Sequence, residues 1–192
     1  MPLKESHLGY GHNPYIHTPD GRFYLKEPQW NINSIGHALS QNARYNGNAR
    51  FFYSVAEHSV LVSLLVEELG LADPMEGLLH DAQESILTDV PSPWKSILPD
   101  YRELEATLEV SLREHFKLGV HKSEGVKRAD WLALFIEAEA LIPEEGSDFV
   151  DSNNLRPEAL KLARKGWHIN GFEWKQARTL FLRRYDELVR RG

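Results

Sequence analysis

The chain has 192 residues, 42% of them hydrophobic, with no cysteine and a formal net charge of −6. That suits one globular domain with its own core, and it argues against a general nucleic-acid binder, which presents a basic face. Without cysteine there is no disulfide and no thiolate site, so any metal must use nitrogen and oxygen ligands; with no membrane-length apolar run and no signal-peptide core, a cytoplasmic chain without a membrane partner is expected.

Residues 1–29 are rich in Gly, Pro, His and Tyr and carry no sustained apolar period. They read as an irregular arm with a short hairpin around Pro19-Asp20-Gly21. His7, His12 and His17 fall at steps that share no face of a helix or strand, so they read as solvated histidines. Residues 30–192 read as one all-α domain. Asn33 caps a first helix on Ile35, Ala38 and Leu39, ending near Asn46-Gly47 with Arg44 and Tyr45 at that end. Ser54-Val55-Ala56-Glu57 is a capping box, and it opens a helix that runs to about Leu69. His58 shares an apolar stripe with Leu61, Val62, Leu65 and Leu69 and so faces the core.

The next helix starts on Asp73 as cap and Pro74 as first helical residue. Leu78, Leu79, Ala82, Ile86 and Leu87 continue at helical spacing until Pro91 stops the run. His80, Asp81 and Glu84 sit inside this apolar stretch. Val90 to Lys95 reads as a rigid, proline-fixed loop. A helix over 100–117 follows, with Tyr101, Leu104, Leu108, Leu112 and Phe116 as its buried stripe. Another spans 123–142, where Asp130 is the only full charge near the middle of an apolar face, and Pro143 ends it. Residues 143–156 are polar and loop-like, and helices are expected over 157–165 and 174–189, the last on Leu180, Phe181 and Leu188. Trp131, Trp167 and Trp174 read more simply as core or interface aromatics than as ligand platforms.

Taken singly, each polar core residue has a plain explanation. A lone histidine on an apolar stripe is more often a hydrogen-bonded core residue, and a lone Asp130 more often half of an ion pair. Their coincidence on three core-facing helices favours a shared divalent ion, which neutralises carboxylates and takes imidazole nitrogens. His58, His80, Asp81 and Asp130 are the candidate ligands.

In that order on helices, these residues resemble the H…HD…D metal site of the HD-domain phosphohydrolases. Ile35-Gly36-His37-Ala38-Leu39-Ser40, Arg44-Tyr45-Asn46-Gly47, Phe52 to Ser59 and Leu79 to Glu84 resemble the small nucleotide-hydrolysing branch. That branch includes phage-type dATP triphosphohydrolases and bacterial 5'-deoxynucleotidases. The resemblance covers residues 18–142 and implies an HD-domain helical bundle with the metal between core helices, in a homo-oligomer of two or more copies. It gives His37 no role. Two imidazoles and two carboxylates leave about two open positions on an octahedral ion such as Mn²⁺, Co²⁺ or Ni²⁺, with Fe²⁺, Zn²⁺ and Mg²⁺ also compatible.

The resemblance implies Glu84 as proton shuttle and Asp89 as the group orienting water or the leaving oxygen, although Asp89 is also placed to cap the helix before Pro91. It implies Arg44 on the reacting phosphate, where a planar guanidinium binds two oxygens at once. Lys95 stands where the triphosphohydrolases carry a phosphate-gripping lysine, with the alternative of a solvated loop lysine. Pro93 belongs to the same substrate wall. Tyr45 replaces the Trp of the 5'-deoxynucleotidase pattern, and the following Asn46-Gly47 leans toward the triphosphohydrolases. The expected activity is metal-dependent release of triphosphate from a dNTP, dATP first. The alternatives are phosphate release from a dNMP and a non-catalytic nucleotide-binding regulator, against which the intact Glu84 speaks.

Overall fold

Helical periodicity in the sequence becomes a mostly helical structure that opens on one β-hairpin. The computed structural model describes residues 13–142, 151, 153–167 and 169–191. His7, His12, Pro143 and most of the expected 143–156 loop lie outside the described residues. The hairpin pairs β1 (Tyr15–Thr18) with β2 (Gly21–Tyr24), Tyr15 opposite Tyr24 and Thr18 opposite Gly21. Pro19-Asp20 forms the turn, where the sequence places it.

Helix α1 (Ile32–Gln41) is capped by Asn31, whose side chain accepts from the Asn33 amide at 2.8 Å. Its expected continuation to residues 46–47 does not occur. The chain turns extended at Asn42 because a local bridge competes with the helix: Val55 N–H donates to Asn42 O, and Arg44 N–H to Tyr53 O. A tight turn (Arg44–Gly47) follows, in which Tyr45, Asn46 and Gly47 take φ of 55°, 52° and 75°. A tyrosine in that left-handed region costs about 1–3 kcal/mol and persists only where its surroundings fix it.

Helix α2 (Val55–Leu69) begins on the expected capping box, with the Glu57 amide donating to Ser54 Oγ and the Ser54 amide to Glu57 Oε2 at 3.0 Å. The other Glu57 oxygen accepts from Phe172 N–H at 2.9 Å, which ties the late chain to the start of α2.

The single helix expected from Asp73 to Pro91 is instead two short ones, α3 (Pro74–Leu79) and α4 (Glu84–Leu87). Between them the hydrogen bonds tighten to three-residue steps: Ala82 to Leu79, Glu84 to Asp81 and Ser85 to Ala82. The His80 ring contributes by donating from Nδ1 to Gly77 O at 2.8 Å, claiming a carbonyl at the end of α3. The expected rigid loop contains one helical turn, α5 (Ser92–Lys95), entered from Pro91.

Helix α6 (Pro99–His115) buries Leu108 and Leu112, and α7 (Glu124–Leu141) starts on Ser123, whose hydroxyl accepts from Val126 N–H. Helices α8 (Arg156–Arg164) and α9 (Trp174–Arg191) complete the described chain. The buried stripe of α9 runs through Ala177, Phe181 and Arg184 rather than Leu180. Arg184 is tolerated there because it donates to Ser63 Oγ and pairs with Glu67 at 2.6 Å.

Helix α2 is central, packed against α1, α3, α7 and α9. Its start joins a core containing Ile35, Leu39, Leu78, Leu79, Leu108 and Phe181. Val62, Leu65 and Val66 face a second core with Val126, Leu132, Ile136 and Leu162. His58, fully buried, lies on α2 at the seam between them. Among the described residues no helix is long and apolar enough to cross a membrane.

Gly125 marks how closely α7 approaches the chain after α2. A Cβ there would stand 2.1 Å from the Leu71 carbonyl oxygen, a backbone atom that cannot swing aside. Gly125 is the second residue of α7, outside the helix interior where alanine most outranks glycine, so the clash dominates. Gly125→Ala is expected to lower stability by about 1–3 kcal/mol, read from urea midpoints. A variant as stable as the parent would contradict this packing.

Candidate metal centre

Three elements bring four ligand-type groups together. Helix α2 supplies His58, the tightened turn supplies His80 and Asp81, and α7 supplies Asp130. The two imidazole Nε2 atoms are 3.2 Å apart. Asp130 Oδ1 lies 3.1 Å from His58 Nε2 and 3.7 Å from His80 Nε2. Asp81 Oδ2 lies 3.0 Å from His80 Nε2 and 3.8 Å from His58 Nε2. Ligands about 2.1 Å from an ion at right angles to one another stand roughly 3 Å apart, so these spacings suit donors around one ion. His58, His80 and Asp130 form a group whose ligand atoms all lie within 4.8 Å of one another and that could hold a metal, while Asp81 stands beside it next to His80.

The donor chemistry supports the same reading. His80 Nδ1 faces the Gly77 carbonyl at 2.8 Å, and a carbonyl only accepts, so the ring proton sits on Nδ1. His58 Nδ1 faces Glu137 Oε1 at 2.6 Å and likewise donates. In their neutral forms both Nε2 atoms are therefore bare acceptors, aimed at each other and at two carboxylates. Acceptors crowded this closely around two buried imidazoles need something positive between them. Without a cation, protons fill that role. Burial opposes a charged His80, but Asp81 and Asp130 push its pKa up to about 10. Burial and Arg44 oppose a charged His58, and Glu137 with Asp130 still holds it above its ordinary value. Burial also works against charge on Asp81 and Asp130, yet His80 with Lys122, and the two histidines, keep these carboxylates well below the usual range. A divalent ion fits the place those protons would take.

Glu137 was not anticipated from the sequence. It is fully buried on α7 and accepts from His58 Nδ1, Tyr45 Oη at 3.0 Å and Arg44 Nε at 3.0 Å. Against its burial, Arg44 and His58 hold its carboxyl below the ordinary value. The available signal was spacing, since Glu137 lies two helical turns beyond Asp130 and so on the same face.

The centre opens on a cavity of about 580 Å³ that gathers Arg44, Tyr45, Asp81, Glu84, Asp89, Pro93, Lys95 and Asp130. All were named from the sequence, and only the two histidine ligands lie behind the wall. Glu84 is 4% exposed, and its Oε2 has no hydrogen-bond partner. Burial first, then Asp81 and Asp89, raises its pKa well above a normal carboxylate. Burial similarly raises Asp89, with Arg44 opposing.

Lys95 is not a free cation: its ammonium is 2.6 Å from Glu105 and 3.3 Å from Glu84. Tyr45 points its hydroxyl at Glu137 rather than into open space. Lys122, also missed, lines the same cavity 3.4 Å from Asp81 Oδ1. Trp131, expected in a core or interface, is 41% exposed and forms part of the cavity wall. Two other concave regions lie elsewhere. One, about 660 Å³, is flanked by Phe51, Phe52 and Trp174, and another, about 900 Å³, lies between the hairpin and α1. His37 belongs to the latter, edge-on to Trp174.

Among known proteins, no family model matches the chain. It is 40% identical over 116 residues to uncharacterized protein YfdR of Escherichia coli K12, an alignment covering 60% of this chain and 64% of that one. An uncharacterized protein of Rhodobacter capsulatus is 37% identical, covering 57% of this chain and 62% of its own. The chain thus spans a little under two thirds of the length of these curated relatives.

The proton-or-cation alternative gives two measurable outcomes. In chelator, His80 has a folded pKa near 10 against an ordinary value of about 6.5, so its stabilising contribution is complete below about pH 6.5 and fades as pH rises toward 10. The melting temperature of chelated protein should therefore fall across that window, while added Mn²⁺ should raise it most at the alkaline end. His80→Ala and Asp130→Ala should abolish the Mn²⁺ response. A pH-independent melting temperature in chelator would contradict the cluster as described.

Proposed function

We propose that the chain is a metal-dependent phosphohydrolase acting on a deoxynucleotide, with release of triphosphate from a dNTP, dATP first. The observation that carries the reading is the cluster of His58, His80 and Asp130, with Asp81 beside it, next to a buried carboxyl, Glu84, with one oxygen unpartnered in the same cavity. The H…HD…D resemblance and the set of cavity residues support it together.

A divalent ion held by His58, His80, Asp81 and Asp130 would supply Lewis acidity, lowering the pKa of water and polarising a phosphoryl oxygen. The protein groups do the rest. Glu84, whose pKa is raised by burial and by Asp81 and Asp89, takes a proton from the attacking water and returns it to the leaving oxygen. Arg44 uses Nε and one terminal nitrogen on Glu137 and keeps its remaining N–H groups for a phosphate. Asp89 lines the cavity beside them and orients the water or the leaving group. Trp131, half-exposed in the wall, offers a flat apolar face to a base or sugar.

The triphosphate reading rests on two cations beyond Arg44, Lys95 and Lys122, in the same cavity. Charge on the outer phosphates has to be met by such groups. One observation favours phosphate release from a dNMP instead: Lys95 is already held by Glu84 and Glu105. A triphosphate has to draw it away from both.

Two substitution series test these roles. Glu84→Gln keeps shape but removes the basic oxygen that shuttles the proton, so Mn²⁺ binding should persist while the rate falls roughly 10²–10⁴-fold. Loss of metal along with the rate would make Glu84 a ligand or a structural partner. Lys95→Ala should sharply lower kcat/KM on dATP with little effect on dAMP, whereas Arg44→Ala should damage both. A dATP value untouched by Lys95→Ala promotes the monophosphatase, and no release of phosphate, pyrophosphate or triphosphate from any nucleotide in Mn²⁺ or Co²⁺ would overturn the phosphohydrolase reading.

A further inference from the structure

We propose that Glu137 is a positioning residue that couples the metal centre to the anion-binding arginine, so that occupancy of one site sets the competence of the other. The inference rests on the metal reading above and deepens it.

The two Glu137 oxygens face different parts of the site. Oε1 accepts from His58 Nδ1 at 2.6 Å, on the side of the ligand ring away from the centre. Oε2 accepts from Tyr45 Oη, from Arg44 Nε and from a second Arg44 nitrogen, each at 3.0 Å. Its side chain has no exposed surface, and that of Arg44 is 11% exposed. No solvent stands ready to replace a lost partner on either side. A carboxylate is required, because it presents acceptors in both directions. A carboxamide of the same shape presents one acceptor and one donor. It can satisfy His58 or the Arg44–Tyr45 turn, but not both.

Charge gives the coupling its sign. A divalent ion on His58 Nε2 and the guanidinium of Arg44 are both positive, and Glu137 is the anion between them. On the ligand side it fixes the ring tautomer that leaves Nε2 free and raises that nitrogen's basicity, as outer-shell carboxylates do for metal-bound histidines. On the arginine side it holds a turn in which Tyr45 and Asn46 sit at φ of 55° and 52°. The pull of Oε2 helps keep that turn, and so the guanidinium, in place. When Glu137 is neutral the two positive centres repel without an intervening anion, and the turn loses its anchor. When Arg44 is neutral the whole carboxylate charge acts on His58, which favours the cation. The two substitutions therefore act in opposite directions on the metal, which loosened packing would not produce.

Calorimetric titration with Mn²⁺ alone, on chelator-stripped full-length protein, reads this without any substrate. Glu137→Gln should weaken Mn²⁺ about 10–100-fold. Arg44→Gln should tighten Mn²⁺ binding. The double variant should bind Mn²⁺ differently from the sum of the two single effects, and Glu137→Asp should restore part of the affinity by keeping the charge. Circular dichroism checks folding, and if Glu137→Gln does not fold, the Arg44→Gln titration and that of Tyr45→Phe, expected near the parent value, carry the test. Should Arg44→Gln fail to tighten Mn²⁺ binding, or Glu137→Gln leave it unchanged, the coupling is overturned while hydrolysis by the parent protein leaves the phosphohydrolase reading standing. A parent protein that takes up no Mn²⁺, Co²⁺ or Zn²⁺ overturns both.

Discussion

Imidazole and carboxylate acceptors packed this closely inside a protein need a positive charge among them. Moving a lone carboxylate or imidazole into a site of low polarity costs several kcal/mol, and facing lone pairs add repulsion. The cluster of His58, His80, Asp81 and Asp130 is thus a constraint before it is a function, since the surrounding helices have to hold it together against that cost. The side chains around it do this with local hydrogen bonds. Gly77 fixes the His80 ring, Glu137 fixes the His58 ring, and the Ser54–Glu57 capping box sets where α2 begins. Two apolar cores on either side of α2 then keep His58 at depth. A positive ion at this point would offset the repulsion among these acceptors.

The break between α3 and α4 serves the same end. On a regular helix neighbouring residues point about 100° apart, and side chains at i and i+1 do not meet. His80 and Asp81 nevertheless bring Nε2 and Oδ2 to 3.0 Å. The three-residue hydrogen bonding through residues 80–83 makes this convergence attainable. It also sends Glu84 out on a new axis, so that its carboxyl stands over the cavity. An unbroken helix would have buried a stronger apolar stripe and lost the site.

What the sequence disclosed follows from how local each cause is. The Ser54 capping box, the Pro19-Asp20 turn, the apolar stripe beneath His58 and the lone charge at Asp130 are set by residues within a few positions of each other, and each was readable. The early end of α1 was not, because it is imposed by pairing with residues 53–55 rather than by a stop signal near Gln41. The helix break was hidden for the opposite reason: Leu78, Ala82 and Ile86 keep helical spacing through it, and the deciding contact is a histidine ring on a carbonyl. Glu137 and Lys122 each take their meaning from partners far along the chain. Glu137 sits 79 positions from His58 and 93 from Arg44, and Lys122 sits 41 from Asp81. A charged residue beside Ile136 and Ala138 reads equally well as a solvated position until the partner on α2 is known.

Charge in the cavity gives an order to binding. Asp81, Glu84, Asp89, Glu105, Glu109 and Asp130 line it with Arg44, Lys95 and Lys122, six carboxylates against three cations. Even with Glu84 and Asp89 shifted toward their neutral forms, the three cations are already in use: Lys95 on Glu105, Lys122 on Asp81 and Arg44 on Glu137, which does not itself line the cavity. A phosphate arriving at such a wall meets little unspent positive charge. A divalent cation meets the reverse, a cluster of carboxylates and imidazoles whose protons it can displace. Once it is held, Asp81 has a second positive partner, which loosens the claim on Lys122 and frees that ammonium for an anion. On the proposed reading the cation is therefore the first ligand, and the affinity for phosphate is a consequence of its arrival rather than a property of the empty fold.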